Sequence, residues 1–218
     1  MLIAGTLDIA DVLEELAKTR RIFHSERDLQ FAFAWIIRSL DATLRVRLEV
    51  VPISGIHLDL SCSRSDNTLR TGIEFKYLTR VWSGVVDGES FSVTHQSSYD
   101  SRSYDAVSDI ARLERLLGDG FIDNGALIVL TNDRGHWGPR SPEDSTQAAA
   151  FRIGHGSRLT GMMDWRPDTP MKTRGSRIKP IEIAGEYVLN WNDFSVVGTD
   201  DERGGRFQSL VVEVCERN

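Results

Sequence analysis

The sequence predicts an α/β fold in which a central mixed sheet, flanked by helices, carries a β-rich C-terminal extension. Three observations predict it. Apolar residues recur at helical spacing over residues 8–20 and 25–40. Three successive segments between Arg45 and Thr79 alternate in polarity as strands do. Gly125–Thr131 (GALIVLT) is an unbroken apolar run behind a third helical stretch.

The first helix rests on Ile9, Val12, Leu13 and Leu16, the second on Leu29, Phe33, Ile36, Ile37 and Leu40. Ser25 is a good N-cap for the second, and Asp28, three positions on, completes a weaker form of the capping box. The segments Arg45–Val51, Ile56–Ser63 and Leu69–Thr79 read as a three-stranded meander. A Ser- and Asp-rich loop then leads to a third helix over Tyr104–Leu117, where Val107, Ile110, Leu113 and Leu117 share a face before Gly118 and Gly120. The run at 125–131 suits a strand covered on both faces, at the sheet centre. Residues 132–180 show little periodicity and read as a long loop region with a short helix near Gln147–Phe151. Ile181–Leu189 and Ser209–Val214 are the last expected strands, separated by a turn-rich stretch. The expected organisation is one domain over 1–218, with a core of about 25–131 and an extension over 132–218.

With 218 residues, 40% hydrophobic and 27% charged, the chain can bury a sizeable core, and no apolar run is long enough for a membrane span. The N-terminus reads as a helix with acidic residues in its pattern, not a signal peptide, so a cytoplasmic location is expected. Cys62 and Cys215 have neither disulfide-framework nor zinc-site spacing, so reduced thiols are expected. The net charge of −6 argues against nucleic-acid binding over the whole surface, but its distribution is uneven. Between Arg152 and Lys179 seven basic residues face only Asp164 and Asp168.

The chemistry concentrates in the second and third strands. Alternation puts Ile56, Leu58 and Leu60 on one face and His57, Asp59 and Ser61 on the other. It likewise separates Ile73, Phe75 and Tyr77 from Glu74 and Lys76. A turn at Asp66-Asn67 gives a register in which opposed residue numbers sum to 133, setting Asp59 against Glu74 and His57 against Lys76. Like charges directly opposed in an antiparallel pair destabilise it. A hard divalent cation, Mg²⁺ or Mn²⁺, would neutralise them, and Lys76 could position a water or offset charge on a phosphate. Taken alone, Glu-x-Lys is an ordinary solvated strand face. The opposed Asp59 is what sets it apart.

Asp59, a gap of fourteen residues and then Glu74-Phe75-Lys76 resembles the motif of the PD-(D/E)xK, or restriction endonuclease-like, nuclease superfamily, with His57-Leu58 standing where the name has its Pro. The order helix, meander, helix, strand resembles that superfamily's αβββαβ core over roughly residues 25–131. The resemblance implies a metal-dependent endonuclease that hydrolyses phosphodiester bonds, in DNA rather than RNA. It implies catalytic roles for Glu26, Asp59, Glu74 and Lys76, with Glu26, Asp59 and Glu74 holding the metal. Glu26 follows from the family order, since a Glu on the helix before the meander completes the site in many members. An acidic residue in a helix's first turn also has a macrodipole reading. Cutting both strands of a duplex by paired sites would make a homodimer.

The second reading is a nuclease-like module without catalysis, binding nucleic acid or protein inside a larger machine. Arg158, Arg166, Lys172, Arg174, Arg177 and Lys179, with His136 and Trp137, could contact phosphates and bases, or form a solvated loop. His57 is left outside the catalytic set. Thr131-Asn132-Asp133 reads as turn chemistry, and Asp109, Arg112 and Glu114 as a salt-bridged outer helix face.

Overall fold

The computed structural model describes residues 1–66, 68–95, 99–138, 147–198 and 203–216. Two short strands, β1 (Leu2–Ile3) and β2 (Leu7–Asp8), lead into α1 (Ile9–Thr19) and α2 (Glu26–Leu40). Ser25 caps α2 by accepting from the Asp28 amide at 3.2 Å. Asp28 reaches back one residue further than a capping box requires: it accepts from the His24 amide at 2.9 Å and takes both Arg20 nitrogens at 2.8 Å. That clamp fixes the first turn of α2, and so the position of Glu26.

The meander follows as β3 (Arg45–Ile53), β4 (Ile56–Ser63) and β5 (Arg70–Leu78). A hairpin, β6 (Trp82–Val86) and β7 (Glu89–Val93), turns at Asp87-Gly88, both with positive φ. This hairpin falls in the stretch where a loop was expected, although Asp-Gly is itself a turn signal. Helix α3 (Tyr99–Gly118) starts five residues earlier than its apolar pattern indicates, because YDSRS adds a polar first turn. Then come β8 (Asn124–Thr131), the single-turn α4 (Arg134–Trp137) and a 3-10 turn at Ala149–Phe151. The rest is β9 (Arg158–Met163), the single-turn α5 (Met171–Arg174), β10 (Ile181–Val188), β11 (Trp191–Val196) and β12 (Arg206–Cys215).

Six strands form one mixed sheet in the order β11-β12-β8-β5-β4-β3, with β5 and β8 parallel and the other pairs antiparallel. The chain is α/β. Strand β8 lies between β5 and β12 and is buried from Gly125 onward, as its unbroken apolar run requires. One face of the sheet (Ile73, Phe75, Tyr77, Ala126, Ile128) packs on α1 and α2. The other (Leu127, Val129, Leu210, Val212) packs on α3.

The extension is more ordered than expected. Strands β9 and β10 pair antiparallel and pack on α3, joined by the rings of Tyr104, Phe151 and Trp165 with centroids 4.9–5.8 Å apart. Strand β10 and the turn at Ala149–Phe151 match the strand expected at Ile181–Leu189 and the short helix expected near Gln147–Phe151, whereas β9 falls in the expected loop region. Strand β11 likewise occupies a stretch that reads as turns. Both cysteines are unbridged. Among the described residues no helix is long and apolar enough to cross a membrane.

Candidate active site

The expected hairpin register is present where β4 and β5 pair. Leu60 opposes Ile73, Ser61 opposes Gly72, Cys62 opposes Thr71 and Ser63 opposes Arg70. Asn67, half of the expected turn, lies outside the described residues. The ladder stops at Leu60–Ile73, so Asp59 and His57 are not paired with Glu74 and Lys76 as cross-strand neighbours.

The other side of β4 is irregular at the same level. Strand β3 pairs Leu48 with Leu60 and Val50 with Leu58, while Glu49 between them is at φ 51°. A glutamate in the left-handed region costs on the order of 1–3 kcal/mol, yet the β3–β4 register holds across it and shifts only between Val50 and Ile53. The facing of β4 changes there too. Leu60 packs toward α2 but Leu58 packs toward α3, against the simple alternation expected of Ile56, Leu58 and Leu60.

Where β4 leaves β5, two β5 amides lose their ladder acceptors, and two carboxylates replace them. Asp59 Oδ2 accepts from Phe75 N at 2.7 Å, and Glu26 Oε2 accepts from Tyr77 N at 2.7 Å. The Tyr77 hydroxyl also donates to Phe23 O at 2.9 Å, tying β5 to the start of α2. Glu26, which depended on family order alone, thus meets the hairpin through a backbone contact.

Glu74 and Lys76 face α3, not solvent. Glu74 is 1% exposed, and its Oε1 accepts from Arg112 Nη1 at 2.8 Å. The same nitrogen reaches His57 O at 3.1 Å, so His57 contributes its carbonyl. Lys76 Nζ pairs with Asp109 Oδ2 and donates to Phe75 O at 3.1 Å, while Arg112 Nη2 pairs with Asp109 Oδ1. Asp109, 2% exposed, therefore links Lys76 to Arg112 from the buried side of α3. This corrects the outer-face reading of Asp109 and Arg112. The signal was available: Asp109 lies three residues after Ala106 and four before Leu113, inside the apolar stripe of its helix. Glu114 is also engaged inward, accepting from the Ala184 and Gly185 amides and the Tyr187 hydroxyl.

Electrostatics set this cluster apart from a surface ion-pair network. Burial, followed by the Asp109 carboxylate, pushes the Glu74 carboxyl up to about 9. Burial also raises Glu26 and Asp109 above the ordinary carboxylate range. For Lys76, burial works to lower the ammonium. The carboxylates of Asp109 and Glu26 outweigh it, and the group ends above its ordinary value. Glu26, Asp59, Glu74 and Asp109 against Lys76 and Arg112 leave a formal charge of −2 when all are ionised. A cleft of about 250 Å³, lined by Glu26, Lys76, Arg102, Asp105, Asp109 and Arg112, opens onto the cluster.

Among the described residues no three His, Cys, Asp or Glu side chains already form a metal cage. Their engagements account for this, since Glu74 is turned to Arg112, Asp109 to Lys76, and Asp59 and Glu26 to backbone amides. The donor set still fits a hard divalent cation: oxygen ligands with a formal surplus of two negative charges when all are ionised.

The basic residues of the extension are largely occupied. Arg158 pairs with Glu186, and Arg166 lies 3.6 Å from Asp168. Arg174 donates to the carbonyls of Thr169, Arg166 and Pro167. Arg177 holds both oxygens of Asp105 at 2.6 and 2.7 Å, and Lys179 O accepts from Tyr104 at 2.8 Å. Lys172 is on α5, away from the acidic cluster's lining. Of this set, Arg177 comes next to the cleft, through Asp105. Comparison with protein-family profiles, characterised proteins and solved structures gives no match.

Proposed function

We propose that the protein is a metal-dependent endonuclease of restriction endonuclease-like architecture, hydrolysing phosphodiester bonds in DNA. The observation that carries this reading is the break in the β4–β5 ladder. There Asp59 and Glu26 cap freed amides while Glu74 and Lys76 turn into the same charged cluster under α3. Such a cluster costs stability, since buried like charges repel and lose hydration. A function for it is the simplest reason to keep it.

Asp59 and Glu74, with Glu26, would hold Mg²⁺ or Mn²⁺. Bound there, the cation supplies neutralisation of charge on a phosphate and on the attacking oxygen. The chain's own residues do the rest. Lys76, held protonated by Asp109 and Glu26, offers a positive donor to a non-bridging phosphate oxygen and is not a general base. Asp109 orients that ammonium and keeps Arg112 on Glu74. Burial on the α3 face excludes water from one side of the cluster, which strengthens each of these interactions. Glu74, whose carboxyl is pushed up to about 9, must release a proton to accept a cation, so binding tightens as pH rises.

The test is nicking of plasmid and of single-stranded DNA with Mg²⁺, Mn²⁺ or EDTA. Activity is expected with metal and not with EDTA, and is expected to vanish in Glu74→Ala and Lys76→Ala. Metal-dependent cleavage surviving both substitutions overturns the assignment. The second reading, a nuclease-like module without catalysis, is favoured by the ion pairs Glu74–Arg112 and Asp109–Lys76, which neutralise the cluster from within. It calls for no cleavage and no heat of Mg²⁺ or Mn²⁺ binding by calorimetry at pH 8.

A further inference from the structure

A second cleft lies at the C-terminal edge of the sheet, outside the acidic cluster, with a volume of about 570 Å³. Its walls carry Arg80, Arg134, Arg203, Arg206, Trp137 and Gln208. They come from separate elements: Arg80 follows β5, Arg134 and Trp137 form α4, and Arg206 opens β12. Asn132 holds the elements together, accepting from Arg80 N at 2.7 Å and donating to Arg80 O and Gly204 O at 3.2 and 2.9 Å.

Two of the four guanidiniums are offset. Arg206 pairs with Asp193 at 3.0 Å, and Arg80 lies 3.6 Å from Asp133. Arg134 and Arg203 are exposed, and among the described residues no carboxylate pairs with either. Counted over the described residues, this is a local excess of positive charge on a chain whose net charge is −6. The cleft is too large for a lone phosphate, its cations are spread along it, and an indole forms part of its wall. Spaced guanidiniums with an aromatic surface suit a polyanion that also presents flat rings.

Its position relative to the acidic cluster supports the same ligand. Gln208 pairs with Thr131, and Lys76 with Val129. The floor of the cleft thus starts two residues further along and two strands across from Lys76, on the order of 12 Å away. By strand alternation Gln208 shares the face of Leu210 and Val212, which look toward α3, as Glu74 and Lys76 do.

We propose that this cleft holds an unpaired stretch of nucleic acid running away from the acidic cluster, with phosphates on Arg134 and Arg203 and a base against Trp137. The proposal rests on the nuclease reading for its substrate class. It narrows that class to DNA with a single-stranded segment, because a base face reaches a side-chain indole only when the base is unstacked.

The experiment is fluorescence anisotropy in EDTA with a fluorescein-labelled mixed-sequence 15-nucleotide DNA strand and its duplex. Wild-type protein is compared with Arg134→Ala/Arg203→Ala, Trp137→Leu and Trp137→Phe, each checked for folding by circular dichroism. Wild-type protein is expected to prefer the single strand. The double variant is expected to bind it roughly 10-fold or more weakly, and to flatten the log-log salt dependence by about 1.4, about 0.7 for each lost phosphate contact. Trp137→Leu is expected to weaken it on the order of 5- to 100-fold, the range for one stacked base, while Trp137→Phe stays within a few-fold of wild type. If Trp137→Leu fails to fold, the arginine pair and its salt slope decide alone. Unchanged single-strand binding in the folded double variant, or tighter binding of the duplex by wild type, overturns the proposal. Cleavage of the same strand with Mg²⁺ is read separately: its absence alongside the expected binding pattern refutes the nuclease reading, and its presence with unaffected binding refutes the cleft.

Discussion

Replacing Glu74 by Gln is expected to stabilise the metal-free protein at alkaline pH while abolishing metal-dependent cleavage. Glu74 is almost fully buried, and its carboxyl rises from an ordinary 4.5 to about 9. A carboxyl with a raised folded-state value keeps its proton when the unfolded chain has lost it. Stability is then full below about 4.5 and falls as pH rises toward about 9, by at most about 1.4 kcal/mol per pH unit for one proton. Glu26 and Asp109 are raised too and act with the same sign, whereas Lys76 stays charged in both states across that window. Between pH 5.5 and 8.5 the Glu74 contribution is therefore a loss on the order of a few kcal/mol, which Gln, having no proton to lose, avoids. At about 2–4 °C per kcal/mol for a chain of this size, Glu74→Gln should melt roughly 5–10 °C above wild type at pH 8.5 and close to it at pH 5.5. The assay is differential scanning calorimetry in EDTA across that range. Adding Mg²⁺ should recover stability at pH 8.5 in wild type but not in Glu74→Gln. Parallel melting curves of the two proteins across the pH range would show that Glu74 is not held protonated by its surroundings, and the electrostatic argument would fail.

Substitutions at three other positions test separate links. Asp59→Asn keeps an oxygen for the Phe75 amide, so urea denaturation should move by less than about 1 kcal/mol while cleavage is lost, whereas Asp59→Ala orphans that amide and should cost about 1–3 kcal/mol. Arg112→Met removes the cation from Asp109 and the donor from Glu74; because Arg112 is itself partly exposed, the loss should be about 2 kcal/mol, below the full value for a buried pair, and should shrink in acid as Asp109 gains its proton. Gly125→Ala would put a methyl 3.0 Å from Leu113 and 3.1 Å from Gly72 O beneath α3, and should lower the urea midpoint by the equivalent of about 1–3 kcal/mol with an unchanged m-value.

The parts of this structure that were legible in the sequence are those governed by short-range periodicity. Ser25 capping α2, the Leu60–Ile73 register and the two-sided burial of β8 follow from rules with periods of 3.6 and 2. What escaped was anything fixed by a contact across the fold. Strand β10 matches the strand expected at Ile181–Leu189, but its partner β9 lies in a lobe packed on three aromatic rings with no common period, and the β6–β7 hairpin was hidden by a polar context around its Asp-Gly turn. The site divides along the same line. Asp59, Glu74 and Lys76 were placed near one another by register alone, but register also demanded that Asp59 face Glu74 as a paired neighbour, and the ladder breaks one residue short of that.

The break itself gives the site its shape. A continued ladder would leave Phe75 and Tyr77 amides satisfied by β4 carbonyls, with Asp59 and Glu26 free to point elsewhere. Where β4 and β5 part beyond the Leu60–Ile73 pair, the two amides recruit those carboxylates at 2.7 Å each. Backbone hydrogen bonding thus gathers acidic groups that their mutual repulsion would scatter. Lys76 and Arg112, brought in by the buried Asp109 on α3, hold the remaining charge to a level that one divalent cation could neutralise. The parted strands and the charged helix face make the site together, and a sequence read strand by strand gives the strand residues without the helix that meets them.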